Sequence, residues 1–348
     1  MKGNAMPIAF VITGANELTA VEANSPEVPV SGHARVEITF AGICSSDIDA
    51  YRKGYPYAPT LSGHEWTGAV VAIGDNVKDL AVGDRVARTC QPACGDCRMC
   101  HAGHQGLCDF FSLGTLPTAP NHGAYATHIQ VPAGSLIKLP DNVTDQQGAM
   151  VEPAAVAFHA VRRSRVRAGD TVLLIGAGII GLFAMQLARQ SGAVNVIVIE
   201  PDERRRGVAL ALGATAAFAP EDEELLPTLL GLSGGRGADI AYECAGLGSS
   251  LMTVVKFLRP GGRLVMISAP TAPVEVIPAM WTSKELDIQT SRAHARDEFD
   301  VVVDLFAKGV LRTTGVITEI VALSQLPQVF EDIAAFANAH RVLVDPRK

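Results

Sequence analysis

Three sets of residues in this chain have types and spacing that could do chemistry. The densest is "CQPACGDCRMCHAGHQGLC", residues 90 to 108, which holds five of the seven cysteines together with His101 and His104. Cys94, Cys97, Cys100 and Cys108 are spaced CxxCxxCx7C. That spacing brings four thiolates to one tetrahedral centre with no open position, the donor set of structural zinc. Disulfide pairing is the competing reading. With the shell full, His101 and His104 are expected on the surface of the lobe. The second set is dispersed: Cys44 in "GICSSD", His64 and Glu65 in "LSGHEW", and Glu152 in "MVEPAAVAFHAV". Mixed sulfur, nitrogen and carboxylate donors with one position left for water or substrate are what a catalytic zinc needs. Taken singly, each also has an ordinary reading: Cys44 as a small buried hydrophobe, His64 as a core or surface residue, Glu152 as a carboxylate at a helix N-terminus.

The third set is "TVLLIGAGIIGLFAMQLA", where Gly176, Gly178 and Gly181, with Ile179 and Ile180 before the last, form GxGxxG between an apolar strand and an apolar helix. The first glycine allows a tight turn, the second lets the backbone approach a pyrophosphate, and the third lets helix and strand pack closely. The helix N-terminus offers free N–H groups to the phosphates. Glu200 ends the next strand, where an acid accepts the ribose 2′-hydroxyl and repels a 2′-phosphate. NAD is therefore expected over NADP, although Arg204 and Arg205 could still reach a phosphate.

The elements that hold these sets come in two textures. Up to about residue 150, short β-like runs are broken by glycine and proline, as in "HARVEITFAGI" and "EWTGAVVAIG". These predict a β-rich domain. From about 153 apolar strands alternate with helices, which predicts βαβ units and a parallel sheet. After about 290 come two amphipathic stretches and the strand-like "HRVLVDP", expected to pack back on the first domain.

At 348 residues, with 48% hydrophobic and 19% charged residues, the chain can bury two ordinary cores. A net charge of -7 argues against a nucleic-acid partner. The N-terminal apolar run is too short for a signal peptide, and Val172–Met185 is shorter than the roughly 20 residues of a membrane span. A cytoplasmic, reducing location is expected, where clustered cysteines bind metal more often than they pair.

The motifs "AGICSSD", "GHE", "VGDRV", the cysteine lobe, "VEPAAVAFHAV", the GxGxxG unit and "RPGGRLVMIS" stand in the order and approximate spacing of the zinc-dependent medium-chain alcohol dehydrogenases. The chain resembles this family over nearly its whole length, and leans toward the sorbitol and threonine dehydrogenase branch. The resemblance implies an α/β protein: a GroES-like, zinc-binding catalytic domain at 1–152 and 291–348, and a Rossmann NAD-binding domain with a doubly wound parallel sheet at 153–290. It implies two zinc ions per chain, a small alcohol or polyol as substrate, and a homodimer or homotetramer. Cys44 and His64 then look like catalytic zinc ligands. The remaining ligand is Glu65, as in sorbitol-dehydrogenase-like members, or Glu152, whose position supplies a cysteine in alcohol dehydrogenases proper. Asp47 resembles the acid that orients the zinc histidine, and Ser46 the hydroxyl that takes the alcohol proton. Arg341 matches a basic position near the cofactor phosphates, or is a surface arginine.

One departure stands out. Many members carry a histidine five residues after the zinc cysteine, at the outer end of the proton relay. This chain has Asp49 there and Tyr51 two further on, so the relay is expected to end on Asp49 or on water. Cys90 and Trp66 are each expected to line the substrate pocket or to fill the core, and Cys244 to pack in the core. The function expected is a hydride transfer between a secondary alcohol or polyol and NAD. A threonine or primary alcohol dehydrogenase, and a redox-silent protein that binds NAD and zinc, are the alternatives.

Overall fold

Short runs in which apolar and polar residues alternate bury one face as strands, and glycine or proline ends each of them. The computed structural model describes residues 8–23, 25–89, 94–109, 121–268, 270, 272–335 and 341–348. In it these runs form β1 (Ile8–Gly14), β2 (Glu17–Glu22), β3 (His33–Gly42), β4 (Glu65–Ile73), β5 (Arg85–Arg88), β6 (His128–Pro132) and β7 (Leu136–Lys138). Two strands from the end of the chain, β14 (Ile317–Ala322) and β15 (Arg341–Asp345), join them. The result is a seven-stranded sheet of order β14-β15-β3-β4-β5-β7, with β6 also paired to β3, and a separate β1-β2 ribbon. Along β3, Ala34, Val36 and Ile38 are fully buried at every second position, the period that one inward face dictates.

The tail belongs to this first unit because of its aromatic packing. Phe330, on the helix Leu326–Ala335, meets Tyr51 edge-on at 5.4 Å and Tyr125 at 5.7 Å between ring centroids. Such contacts add to the burial of the rings themselves. The unit comprises 1–152, 295–307 and 317–348.

The second unit comprises 153–294 and 308–316. Its strands β8 (Thr171–Ile175), β9 (Asn195–Ile199), β10 (Ala216–Phe218), β11 (Ala238–Glu243), β12 (Leu258–Met266) and β13 (Asp287–Thr290) form a parallel sheet of order β10-β9-β8-β11-β12-β13. All five residues of β8 are buried, as strands covered by helices on both faces must be. The strand order reverses direction between β8 and β11, which opens a crevice beyond their C-terminal ends.

The expected division at 291–348 needs a correction. Residues 308–316 belong with the second unit because Arg312 is tied to it. Its N–H donates to Gln186 Oε1 at 2.9 Å, its carbonyl accepts from Gln186 Nε2 at 3.2 Å, and its guanidinium donates to the Leu212 carbonyl at 2.9 Å. Among the described residues, no helix is long and apolar enough to cross a membrane.

Candidate active site

Cys44 is the N-cap of the helix Ser45–Lys53, and the third helical residue, Asp47, reaches back to accept from the Cys44 N–H at 3.1 Å. This closes the loop at the end of β3 and fixes the direction of the thiol. His64 and Glu65 enter β4, where Glu65 pairs across from Gly42. One ligand atom each from Cys44, His64 and Glu65 lie within 4.8 Å of one another. His64 Nδ1 donates to the Leu61 carbonyl at 2.8 Å, which makes Nε2 the nitrogen that would ligate a cation.

The environment of this cluster calls for positive charge. Burial raises the Cys44 thiol above its ordinary pKa, the Glu65 carboxylate raises it further, and His64 opposes both. Burial also raises Glu65, against a lowering by Arg341, and the charge of Glu152 adds to the rise. A divalent cation at the centre would relieve this compression, so the donor set fits zinc. Glu152 is buried nearby, but its carboxylate is not among the three clustered ligand atoms.

Two expectations are corrected here. Asp47 is not the hydrogen-bond partner of the zinc histidine: its Oδ1 lies 3.8 Å from His64 Nδ1, and the Leu61 carbonyl takes that proton instead. The fully buried Asp47 serves the Cys44 N–H and two phenols, accepting from Tyr125 at 2.8 Å and from Tyr57 at 2.9 Å. Arg341 is no surface residue. Its guanidinium is buried, ion-paired with Glu65, and donates to the Ile43 carbonyl at 3.0 Å. Gly42 makes room for that pair, since a Cβ there would overlap both side chains.

Ser46 Oγ lies 3.2 Å from Tyr57 Oη. Asp49, expected with water as the alternative end of the relay, pairs with Lys53 at 3.3 Å, and 41% of its side chain is exposed. Tyr51 is a core residue against Phe330, and Trp66 is buried to 1% in the same core. Cys90 lies outside the described residues.

In the lobe, the four thiols of Cys94, Cys97, Cys100 and Cys108 also lie within 4.8 Å of one another. Sulfur separations of 3.5 Å for Cys97–Cys100, 3.9 Å for Cys94–Cys100 and 4.0 Å for Cys97–Cys108 exclude disulfides. They match the edge of about 3.8 Å that a tetrahedron with zinc–sulfur bonds of about 2.3 Å requires. Backbone N–H groups of Cys97 and Cys100 point at Cys94 Sγ and Cys97 Sγ, which favours thiolates. Crowding opposes it: burial, then the neighbouring thiol of Cys97, pushes Cys100 up to about 12, a cost that a bound dication removes. His101 is exposed and pairs with Asp96 at 3.5 Å, and His104 is exposed.

In the second unit the three loop glycines have different reasons. Gly176 has φ +94, and a Cβ on Gly181 would lie 2.0 Å from the Gly176 carbonyl oxygen. Gly178 has neither constraint, since nothing lies within 4 Å of a Cβ placed there. That vacant space, at the N-terminus of the helix Ile179–Gln190, is what a pyrophosphate against the backbone needs. Glu200 is buried at the end of β9, accepting from the Ala177 N–H at 2.8 Å and the Asp202 N–H at 3.1 Å. Arg205 Nη1 stands 3.9 Å from the same carboxylate. Beyond β11 the Cys244 N–H donates to Ile175 O at 2.9 Å, so the two loops at the crevice are tied together. The half-buried Cys244 thiol is raised above its ordinary pKa, first by burial and then by the charge of Glu243.

Residues 30–141 match the alcohol dehydrogenase GroES-like domain, and residues 180–308 match the zinc-binding dehydrogenase family. A D-xylulose reductase A of Emericella nidulans is 30% identical over 98% of this chain and 97% of its own. The chain belongs to the zinc-dependent medium-chain alcohol dehydrogenase family. A zinc-binding dehydrogenase of Sinorhizobium meliloti 1021, solved with NADP, superposes with a TM-score of 0.87 at 29% identity, covering 98% of this chain and 100% of that one. An alcohol dehydrogenase of Escherichia coli CFT073, solved with NADH, gives a TM-score of 0.84 at 30% identity over 98% and 99%. Within this dehydrogenase, sequence reasoning missed Tyr57, Tyr125 and the Leu61 carbonyl. Their roles are hydrogen-bond directions, and the only trace of them in the sequence is the aromatic "YPY" seven to nine residues before His64.

Proposed function

We propose that this dehydrogenase interconverts a secondary alcohol of a polyol-type substrate and its ketone, with NAD as the hydride acceptor. The observation that carries the reading is the mixed cluster of Cys44, His64 and Glu65, three donors of the kind a catalytic zinc takes, with Ser46 two residues after Cys44. Zinc held there supplies a Lewis acid that lowers the pKa of a coordinated hydroxyl. The chain's own residues do the rest. Cys44, His64 and Glu65 are the protein ligands, while Glu152 tunes the charge of Glu65 and Arg341 limits it. Ser46 accepts from the substrate hydroxyl. Gly176, Gly178, Ile179, Ile180 and Gly181 cradle the cofactor phosphates, and Glu200, beside Arg205, takes the ribose. The net step moves a hydride from the carbinol carbon to NAD and releases the proton of its oxygen to solvent, giving a ketone, NADH and a proton. Cys94, Cys97, Cys100 and Cys108 hold the second zinc, which is structural.

Support for a polyol comes from the D-xylulose reductase A relative. Steady-state rates on a panel of polyols, 2,3-diols, threonine and primary alcohols, each with NAD and with NADP, test the reading. The expected result is turnover of a polyol or diol with a preference for NAD of about tenfold or more in kcat/KM. Turnover of threonine or primary alcohols alone would overturn the substrate class. A zinc-loaded protein that turns over none of them would overturn the reading altogether.

A further inference from the structure

A serine hydroxyl that is to accept from a substrate alcohol must present its lone pairs, with its own proton turned elsewhere. The geometry at Ser46 meets that condition. Tyr57 Oη lies 3.2 Å from Ser46 Oγ and 2.9 Å from Asp47 Oδ1. Three donors converge on the Asp47 carboxylate: the Cys44 N–H at 3.1 Å, the Tyr125 hydroxyl at 2.8 Å and the Tyr57 hydroxyl. A carboxylate accepts and a phenol has one proton to give. Tyr57 gives that proton to Asp47, so its oxygen accepts from Ser46. The single proton of Ser46 is thereby turned toward Tyr57, and its remaining lone pairs are left for the substrate.

We propose that Tyr57 is a positioning residue, one that sets the direction of the Ser46 hydroxyl. This rests on the proposed alcohol dehydrogenase reading. Asp49 is occupied by Lys53 at 3.3 Å. The Tyr57 ring is held in place, meeting Tyr55 edge-on with centroids 6.3 Å apart. Burial, and then the charge of Asp47, keeps its phenol protonated well above the ordinary range, so the proton that anchors it to Asp47 is present throughout the working pH.

The test is a double-mutant cycle on the zinc-loaded, full-length enzyme, with zinc content measured for every variant. Tyr57→Phe keeps the ring and removes the hydroxyl. It should lower kcat about tenfold, the worth of one well-placed hydrogen bond, with KM within about twofold of wild type and zinc content unchanged. In a Ser46→Ala background the same change should cost less than about twofold, because there is no hydroxyl left to orient. Tyr125→Phe removes a donor from the same Asp47 carboxylate without touching Ser46, and should cost distinctly less than Tyr57→Phe. Wild-type rates in Tyr57→Phe, an equal loss in the Ser46→Ala background, a Tyr125→Phe loss as large as that of Tyr57→Phe, or zinc lost from Tyr57→Phe would each overturn the proposal. A wild type that turns over no alcohol overturns the reading beneath it and this proposal together, whereas an active wild type with additive variants overturns this proposal alone.

Discussion

Single side chains set the protonation balance of the first unit, and His122 shows it away from the metal ligands. It is fully buried, and its Nδ1 lies 2.6 Å from the Gly123 carbonyl. Burial lowers its pKa, against a smaller rise from that hydrogen bond. The unfolded chain therefore takes up this proton at a higher pH than the folded one. The contribution of neutral His122 to stability is full above about pH 6.5 and is lost as pH falls through that value toward the folded pKa. We expect thermal melts to show Tm falling less steeply from about pH 7 to about pH 5 in His122→Gln than in wild type. Equal slopes would contradict this. At this scale the sequence was legible where ligands are local: four cysteines within fifteen residues announce a closed shell by spacing alone. Cys44 and the His64–Glu65 pair, twenty residues apart, became readable only through family resemblance. The Leu61 carbonyl that displaces Asp47 from His64 was not readable at all, since a backbone acceptor has no signature in residue types.

The glycine loop separates two kinds of requirement within one element. Gly181 is needed by the chain itself, because a Cβ would strike the Gly176 carbonyl at 2.0 Å, whereas Gly178 stands in open space. Gly181→Ala should therefore lower Tm, by overpacking worth about 1–3 kcal/mol. Gly178→Ala should melt close to wild type yet bind NADH about tenfold more weakly, a change of about 1.4 kcal/mol, as read by calorimetric titration. If Gly178→Ala bound NADH with wild-type affinity, the phosphates would not lie there. Strand and helix existence in the second unit was legible because strands such as "TVLLI" and "NVIVI" are apolar after their first residue. The place of 308–316 was not, because it depends on Gln186 and Leu212 holding Arg312 across 126 and 100 residues. Nor could the pattern tell which tail residue would stack on Tyr51 and Tyr125; that depends on the register of the returning helix with the sheet.

At the scale of the whole molecule, the proposed function divides labour between two clusters of metal-ligating residues. The cysteine lobe, with four thiols within 4.8 Å of one another, suits a structural zinc site. In the proposed function the Cys44, His64 and Glu65 cluster is where turnover takes place, and Arg341 from the returning tail is ion-paired with its Glu65. Metal removal should reflect that division, with loss from the lobe read as a fall in Tm and loss from the open cluster read as a fall in rate. The most direct measurement is zinc per chain together with polyol oxidation rate in wild type, Cys44→Ser and Cys97→Ser. Wild type should hold about two zinc ions per chain, and Cys44→Ser about one, with Tm retained and turnover abolished. Cys97→Ser should lose stability first. Turnover near the wild-type rate in Cys44→Ser would contradict the account.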